Sequence, residues 1–199
     1  ESSVDRALRV PYPLDALGAE TQGLIGYWLA QALRNALRDR DVIALVTQTL
    51  VAADDRAFDR PSKFIGPAYT ETIANKVAVL HGWTVRQDGS AWRRVVPSPS
   101  PQRVIEMALI ERLVDAGTIV VCGGGGGIPV VSNAAGEIEG VEAVIDKDLT
   151  SALLAEPIGT DMRPLLPAVP AVKVDCEDPG PESIPRTTAH ALRARHCSR

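Results

Sequence analysis

The stretch TIVVCGGGGGIPVV, residues 118 to 131, runs from a short apolar strand directly into five consecutive glycines. Ile119, Val120 and Val121 are β-branched and apolar on both faces, as a parallel strand buried between helices requires. Gly123 to Gly127 then stand at the carboxyl end of that strand, where open α/β sheets bind ligands. Without side chains, their backbone N–H groups can close around an anion, phosphate being the usual guest. A loose surface loop is the competing reading of such a run. It is not a dinucleotide fingerprint, because the third glycine of G-x-G-x-x-G is missing, and no G-K-[ST] follows to make a Walker loop.

The same rhythm extends outward from this point. PQRVIEMALIERLVDAG, residues 101 to 117, predicts a helix with Val104, Ile105, Ala108, Leu109 and Leu113 inward and Gly117 as its stop. VIALV, residues 42 to 46, predicts a second buried strand. It follows an amphipathic helix over 18–38, with Ile25, Trp28, Leu29, Ala32, Leu33, Ala36 and Leu37 on its inner face and arginines outside. Beyond the glycines, a polar turn at 132–140 leads to a strand over VEAVI, 141–145, and a helix from Asp148 to about Glu156. Helices alternating with buried strands predict an α/β fold.

Between 52 and 96 the apolar density drops. A short helix is expected near 71–80, followed by a hairpin in WTVRQDGSAWRRVV, residues 83 to 96, turning at Asp88-Gly89. Pro97, Pro99 and Pro101 punctuate its end. The expected organisation is a core from 1–51 and 97–163, a small inserted β-containing subdomain over 52–96, and a proline-rich tail over 164–199. In that tail Val169 to Val174 reads as a strand interrupted by Pro170, and Thr188 to Arg195 as a short helix.

Composition narrows the function. With 199 residues, 45% hydrophobic and 23% charged, the chain can bury a core, and wholesale disorder is excluded. A net charge of -4 argues against a dedicated nucleic-acid binder. No run approaches the roughly 20 apolar residues of a membrane span, and ESSVDRALRV at the start does not read as a signal peptide, so cytoplasm is the expected compartment. Cys122, Cys176 and Cys197, with His81, His190 and His196, lack ligand spacing, so neither a disulfide framework nor a zinc site is expected.

Two lysine motifs join the glycine run. In VIDKD, residues 144 to 148, Lys147 sits between Asp146 and Asp148 at the end of the expected strand. There it can place a point charge on a transferring phosphoryl group, or the carboxylates can simply cap the next helix. In SKFIGP, residues 62 to 67, Lys63 precedes a rigid Ile-Gly-Pro turn within the inserted segment. A lysine there can close over a small anionic substrate, or serve as an ordinary surface charge.

Taken in order, PYPLDALGAETQGLIGYWLAQALRN, SKFIGPAYT, GWTVRQDGSAWRRVVPSPSPQRVIE, VVCGGGGGIPVV and GVEAVIDKDLTSALLAE resemble carbamate kinases of the amino-acid kinase superfamily, from about Pro11 to Glu156. The resemblance implies a three-layer αβα sandwich around a largely parallel sheet, with a protruding subdomain and a homodimeric assembly. It implies phosphoryl transfer between ATP and carbamate, running in arginine catabolism from carbamoyl phosphate and ADP to ATP, with magnesium bound through the nucleotide. It assigns Lys63 to the reacting group, Lys147 to charge neutralisation on the transferring phosphate, and Asp148 to organising the lysines. Gly124, Gly125, Gly126 and Gly127 would shape the phosphate pocket.

The family's G-G-N-A-type and G-N-G-P-Q-V-G-type loops do not precede Glu1, and its late G-S-M-G-P-K segment is not found before Arg199. Leu166 to Val169 replace its Leu-Thr-Asp-Val, and Lys173 an expected tyrosine. Little turnover by this chain alone is therefore expected, the alternative being a non-catalytic nucleotide-binding or dimerising remnant. A kinase of a larger substrate, such as an acylated glutamate, is disfavoured by SKFIGP.

Overall fold

Two strand segments interrupted at the same level form the centre of the fold. The computed structural model describes residues 12–166, 172–173, 183–184, 186–188 and 191. β1 (Val42–Ala44) and β2 (Gln48–Val51) lie parallel to β7 (Ile119–Val121) and β8 (Ile128–Ser132) respectively. The partner offset is 77 residues at Val42↔Ile119 but 80 at Gln48↔Ile128, so the chain joining β7 to β8 carries three extra residues. The glycine run absorbs them as an outward turn. β2 also pairs antiparallel with β6 (Pro101–Val104), and β8 with β9 (Ile138–Gly140), so parallel pairing occupies the centre and antiparallel pairing the edges of the order β6-β2-β8-β9.

α1 (Leu14–Ala36) packs on β1, β7 and β8. Its buried face is Gln22, Gly26 and Ala30 rather than the apolar stripe expected from the sequence. A Cβ on Gly26 would stand 2.9 Å from that of Ala44, so small residues are what let helix and strand approach. Ile25, Trp28, Leu29 and Leu37 of the expected inner face are exposed, together with Leu24 and Tyr27.

Between β6 and β7 the expected long helix shortens to α3 (Met107–Asp115), with Ile110 its buried residue, while Ala108 and Leu109 are exposed. Pro101 to Val104 instead extend along β2, where Val104 is buried as a strand residue, and Glu106 accepts a bond from the Gln48 N–H at 2.9 Å. VEAVI does not form a strand. Its N–H bonds go separate ways, from Val141 to Pro129 O, from Ala143 back to Val141 O and from Val144 to Pro97 O, while Ala143 and Ile145 are buried. α4 (Lys147–Ile158) follows and ends at Gly159 in the left-handed region. It packs on β6 and on α3.

The segment before β6 makes its own antiparallel sheet, in the order β3-β5-β4, from β3 (Lys63–Tyr69), β4 (Val85–Asp88) and β5 (Ala91–Val96). Asp88 pairs with Ala91, so the hairpin turns on Gly89, at φ 60°, and Ser90. α2 (Glu71–His81) lays Ala74 and Val77 on Tyr69, with Ile73, Trp83, Val85 and Trp92 around them. Asp55 ties the entry and exit of this segment, accepting from the N–H groups of Ala57 at 2.8 Å and Ser100 at 3.0 Å.

The chain divides into two compact units, Glu1–Asp161 and Met162–Arg199. Of the second, the structure describes an antiparallel pair, β10 (Val172–Lys173) and β11 (Ser183–Ile184). Most of the strand expected over 169–174 and of the helix over 188–195 lies outside the described residues, as do Pro167 to Val169, Cys176, Cys197, His190 and His196.

Candidate active site

The glycine turn is held at both ends by buried side chains. Thr47 lies in the short link between β1 and β2, opposite the place where the three extra residues bulge outward. Its hydroxyl accepts the Gly123 N–H at 3.0 Å, and its carbonyl accepts the Ile128 N–H at 2.9 Å. Gln22 of α1 brackets Thr47, with Nε2 donating to Thr47 O at 3.1 Å and Oε1 accepting the Thr47 N–H at 3.0 Å. At the other end, Thr49 of β2 and Thr150 of α4 both donate to Gly126 O, at 3.0 and 2.8 Å.

Within the turn, the N–H groups of Gly126 and Gly127 donate to Gly123 O at 2.7 and 2.6 Å. Gly124 and Gly125 are left, among the described residues, with N–H groups not committed to such a bond. The glycines therefore differ in kind. Gly126 and Gly127 have φ of 130° and 88°, and a Cβ there would overlap Ile145 O and Thr49 Oγ1, so both are needed for the turn itself. Gly125 has ordinary φ and open space where a Cβ would stand, so nothing in the fold demands glycine. Gly124 and Gly125 line two cavities. One, of about 460 Å³, is also bounded by Leu17, Gln22, Tyr69 and Arg94; the other, of about 340 Å³, by Gln22, Cys122 and Lys147.

The VIDKD segment brings the charges to this turn. Asp146 caps α4, accepting the Asp148 N–H at 2.9 Å, and its other oxygen lies 3.3 Å from Lys63 Nζ of β3. Burial acts to raise the Asp146 pKa, but the N–H groups of Asp148 and Leu149 and the Lys63 ammonium outweigh it, holding the carboxyl below its ordinary range. Lys147 pairs with Asp148 at 3.2 Å. The two lysines singled out in the sequence thus arrive on adjacent carboxylates, Lys63 on Asp146 and Lys147 on Asp148. Asp146 as the partner of Lys63 was not legible in the sequence, because the contact joins β3 to the N-cap of α4 across 83 residues.

A second ion pair joins the 63–96 sheet to the core. Arg94 Nη2 lies 2.6 Å from Glu142 Oε2, and the guanidinium stacks 4.3 Å from the Trp83 ring centroid. The other Glu142 oxygen accepts the first N–H of α1, from Leu14, at 2.8 Å. Sequence reasoning gave Arg94 no role; the structure makes it a wall of the larger cavity. Beside the turn, burial and then the Glu106 charge push the Cys122 thiol pKa up, so it rests as a neutral thiol. Among the described residues no group of three or more His, Cys, Asp or Glu could hold a metal ion, and no helix is long and apolar enough to cross a membrane.

No protein-family model matches the chain. Curated relatives do. The chain is 50% identical over 159 residues to the carbamate kinase of Pyrococcus horikoshii, covering 77% of this chain and 50% of that one. It is 44% identical over 182 residues to that of Haemophilus influenzae, covering 91% and 59%. Among solved structures, Giardia lamblia carbamate kinase bound to AMP-PNP superposes with a TM-score of 0.76 at 37% identity, over 90% of this chain and 59% of that one. The chain therefore spans between half and three fifths of the length of the relatives named here.

Proposed function

The chain being a homologue of the carbamate kinases, with their mixed α/β amino-acid kinase fold, we propose that it carries carbamate kinase chemistry, reversible phosphoryl transfer between ATP and carbamate. The observation that carries this reading is that Lys147 lines one cavity with Gly124 and Gly125, while Lys63 reaches Asp146, the residue next to Lys147. Phosphoryl transfer asks chiefly for positioning and for charge stabilisation on the moving group. In this reading Lys63, from the 52–96 segment acting as a lobe, reaches the carbamoyl phosphate. Lys147 neutralises the transferring phosphoryl charge, Asp148 orients Lys147, and Gly124 and Gly125 donate to phosphoryl oxygens. Gly126 and Gly127 contribute by holding the turn. A phosphate anion between the lysines would compete with Asp146 and Asp148 for their ammonium groups, so the carboxylates hold both lysines in place until substrate arrives.

ATP or ADP is the expected nucleotide. Magnesium fits as an ion carried on nucleotide phosphates and its own waters, because Asp146 and Asp148 are engaged by Lys63 and Lys147. When bound it neutralises charge on the phosphates. A cytoplasmic setting in arginine catabolism and a homodimeric assembly complete the reading. The dimer is supported by the exposed apolar residues of α1, Leu24, Tyr27 and Trp28, about half or more accessible.

Thermal melting tests the binding that this function requires. Saturating carbamoyl phosphate with magnesium ADP is expected to raise the Tm, and Lys63→Ala and Lys147→Ala to lose most of the rise. An unchanged Tm at millimolar ligand would overturn the reading.

A further inference from the structure

A run of five glycines should be the loosest part of a site, because glycine has the most backbone freedom to lose. Here it is the best anchored. The buried polar residues among those described are Gln22, Thr47, Thr49 and Thr150, and all four serve this one turn. Burying hydroxyl and amide groups is costly unless they are bonded, and valine would fill the threonine sites at similar volume without that cost. Strand pairing does not require them either, since β2 and β8 are joined through the backbone. Their shared destination is the turn: Gln22 through Thr47 fixes the Gly123 N–H, while two hydroxyls converge on Gly126 O and fix the orientation of that peptide. Between the two anchors lie Gly124 and Gly125.

We propose that Gln22, Thr47, Thr49 and Thr150 are positioning residues that preset the glycine turn, so that the Gly124 and Gly125 amides stand as a two-donor cradle for a phosphoryl oxygen before any ligand binds. The proposal rests on the carbamate kinase reading for the identity of the ligand, but the presetting itself does not depend on it. Three elements far apart in sequence, α1, β2 and α4, are thereby coupled to one anion site.

The test compares Thr150→Val and Thr49→Val, singly and together, with Thr150→Ser and Thr49→Ser, in this chain. Two readouts are taken: affinity for carbamoyl phosphate with magnesium ADP by calorimetry, and hydrogen exchange with amide chemical shifts of Gly124 and Gly125 without ligand. Valine is expected to weaken binding about tenfold per site and speed exchange at both glycines, and serine to restore both. A doubly substituted valine protein that keeps the parent's shifts and exchange at Gly124 and Gly125 overturns the proposal. If the parent binds neither ligand, the carbamate kinase reading fails, and the exchange comparison still decides the presetting. Should the double variant not fold, Thr150→Val against Thr150→Ser, one hydroxyl on a helix, carries the same two readouts.

Discussion

Lys63 Nζ and Asp146 Oδ2 lie 3.3 Å apart, across 83 residues of sequence and between strand β3 and the N-cap of α4. That contact brings the SKFIGP lysine to the start of α4, beside Lys147. Its side chains are 46% and 25% exposed, so the pair itself contributes only about 0–1 kcal/mol. Its consequence is placement more than stability.

Asp146 links this placement to pH. Its folded pKa lies below the ordinary carboxyl value of 3.8, so its contribution is fully present above that value and is lost as pH falls through the folded pKa. The Lys63 contact should therefore persist throughout pH 5–8. Asp146→Asn keeps a capping oxygen but removes the charge that faces Lys63 and the α4 N-terminus, and should cost about 1 kcal/mol at neutral pH, with the loss shrinking toward zero in strong acid. Denaturant titrations across pH, parent against variant, check this; a constant difference down to the lowest pH would contradict it.

The glycines of the turn should separate folding from binding. Gly127→Ala meets positive φ and the Thr49 hydroxyl, and should destabilise the chain by about 1–3 kcal/mol. Gly125→Ala meets open space at ordinary φ and should melt within a few degrees of the parent. Its added methyl stands beside the proposed cradle, so binding of carbamoyl phosphate should fall. Melting and calorimetry on the two variants provide the comparison.

Arg94 should hold the 63–96 sheet against the core. It is 12% exposed, and its partner Glu142 is 54% exposed, so solvent screens the pair and much of the arginine's contribution is its stacking on Trp83. Arg94→Ala should cost about 1–2 kcal/mol and Glu142→Gln about 0.5 kcal/mol or less. Equal losses in denaturant unfolding would show that the ion pair, not the stacking, dominates.

Cys122 should be slow to alkylate. Burial and the nearby Glu106 charge both raise its pKa, so the thiolate is scarce at neutral pH and its fraction grows only as pH rises toward that raised value. Mass mapping of iodoacetamide adducts should show little labelling at Cys122 in the folded chain and rapid labelling in denaturant.

Local patterns were legible in the sequence, and cross-chain decisions were not. The hairpin at Asp88-Gly89, the α2 helix and the apolar strand ending at Val121 each announce themselves in a few residues. α1 could not be oriented from its own residues. Its apolar stripe marks Trp28 and Leu29, yet Gly26 permits the closest approach to Ala44, and Gln22 finds its amide's partner in Thr47. β2 was hidden for the same reason, because Gln48 and Thr49 read as polar until Glu106 and Gly126 O are seen to receive them. In the site, the lysines and glycines carry motifs, whereas Asp146 and the four buried polar residues gain meaning only from contacts tens of residues away.

The most direct measurement is an amide titration of the chain with carbamoyl phosphate in the presence of magnesium ADP, following Gly124 and Gly125. Saturable shifts at both glycines, lost in Lys63→Ala and Lys147→Ala proteins that remain folded, are the predicted result. Saturable binding that leaves both glycine amides unmoved, or no binding at all, would contradict the account.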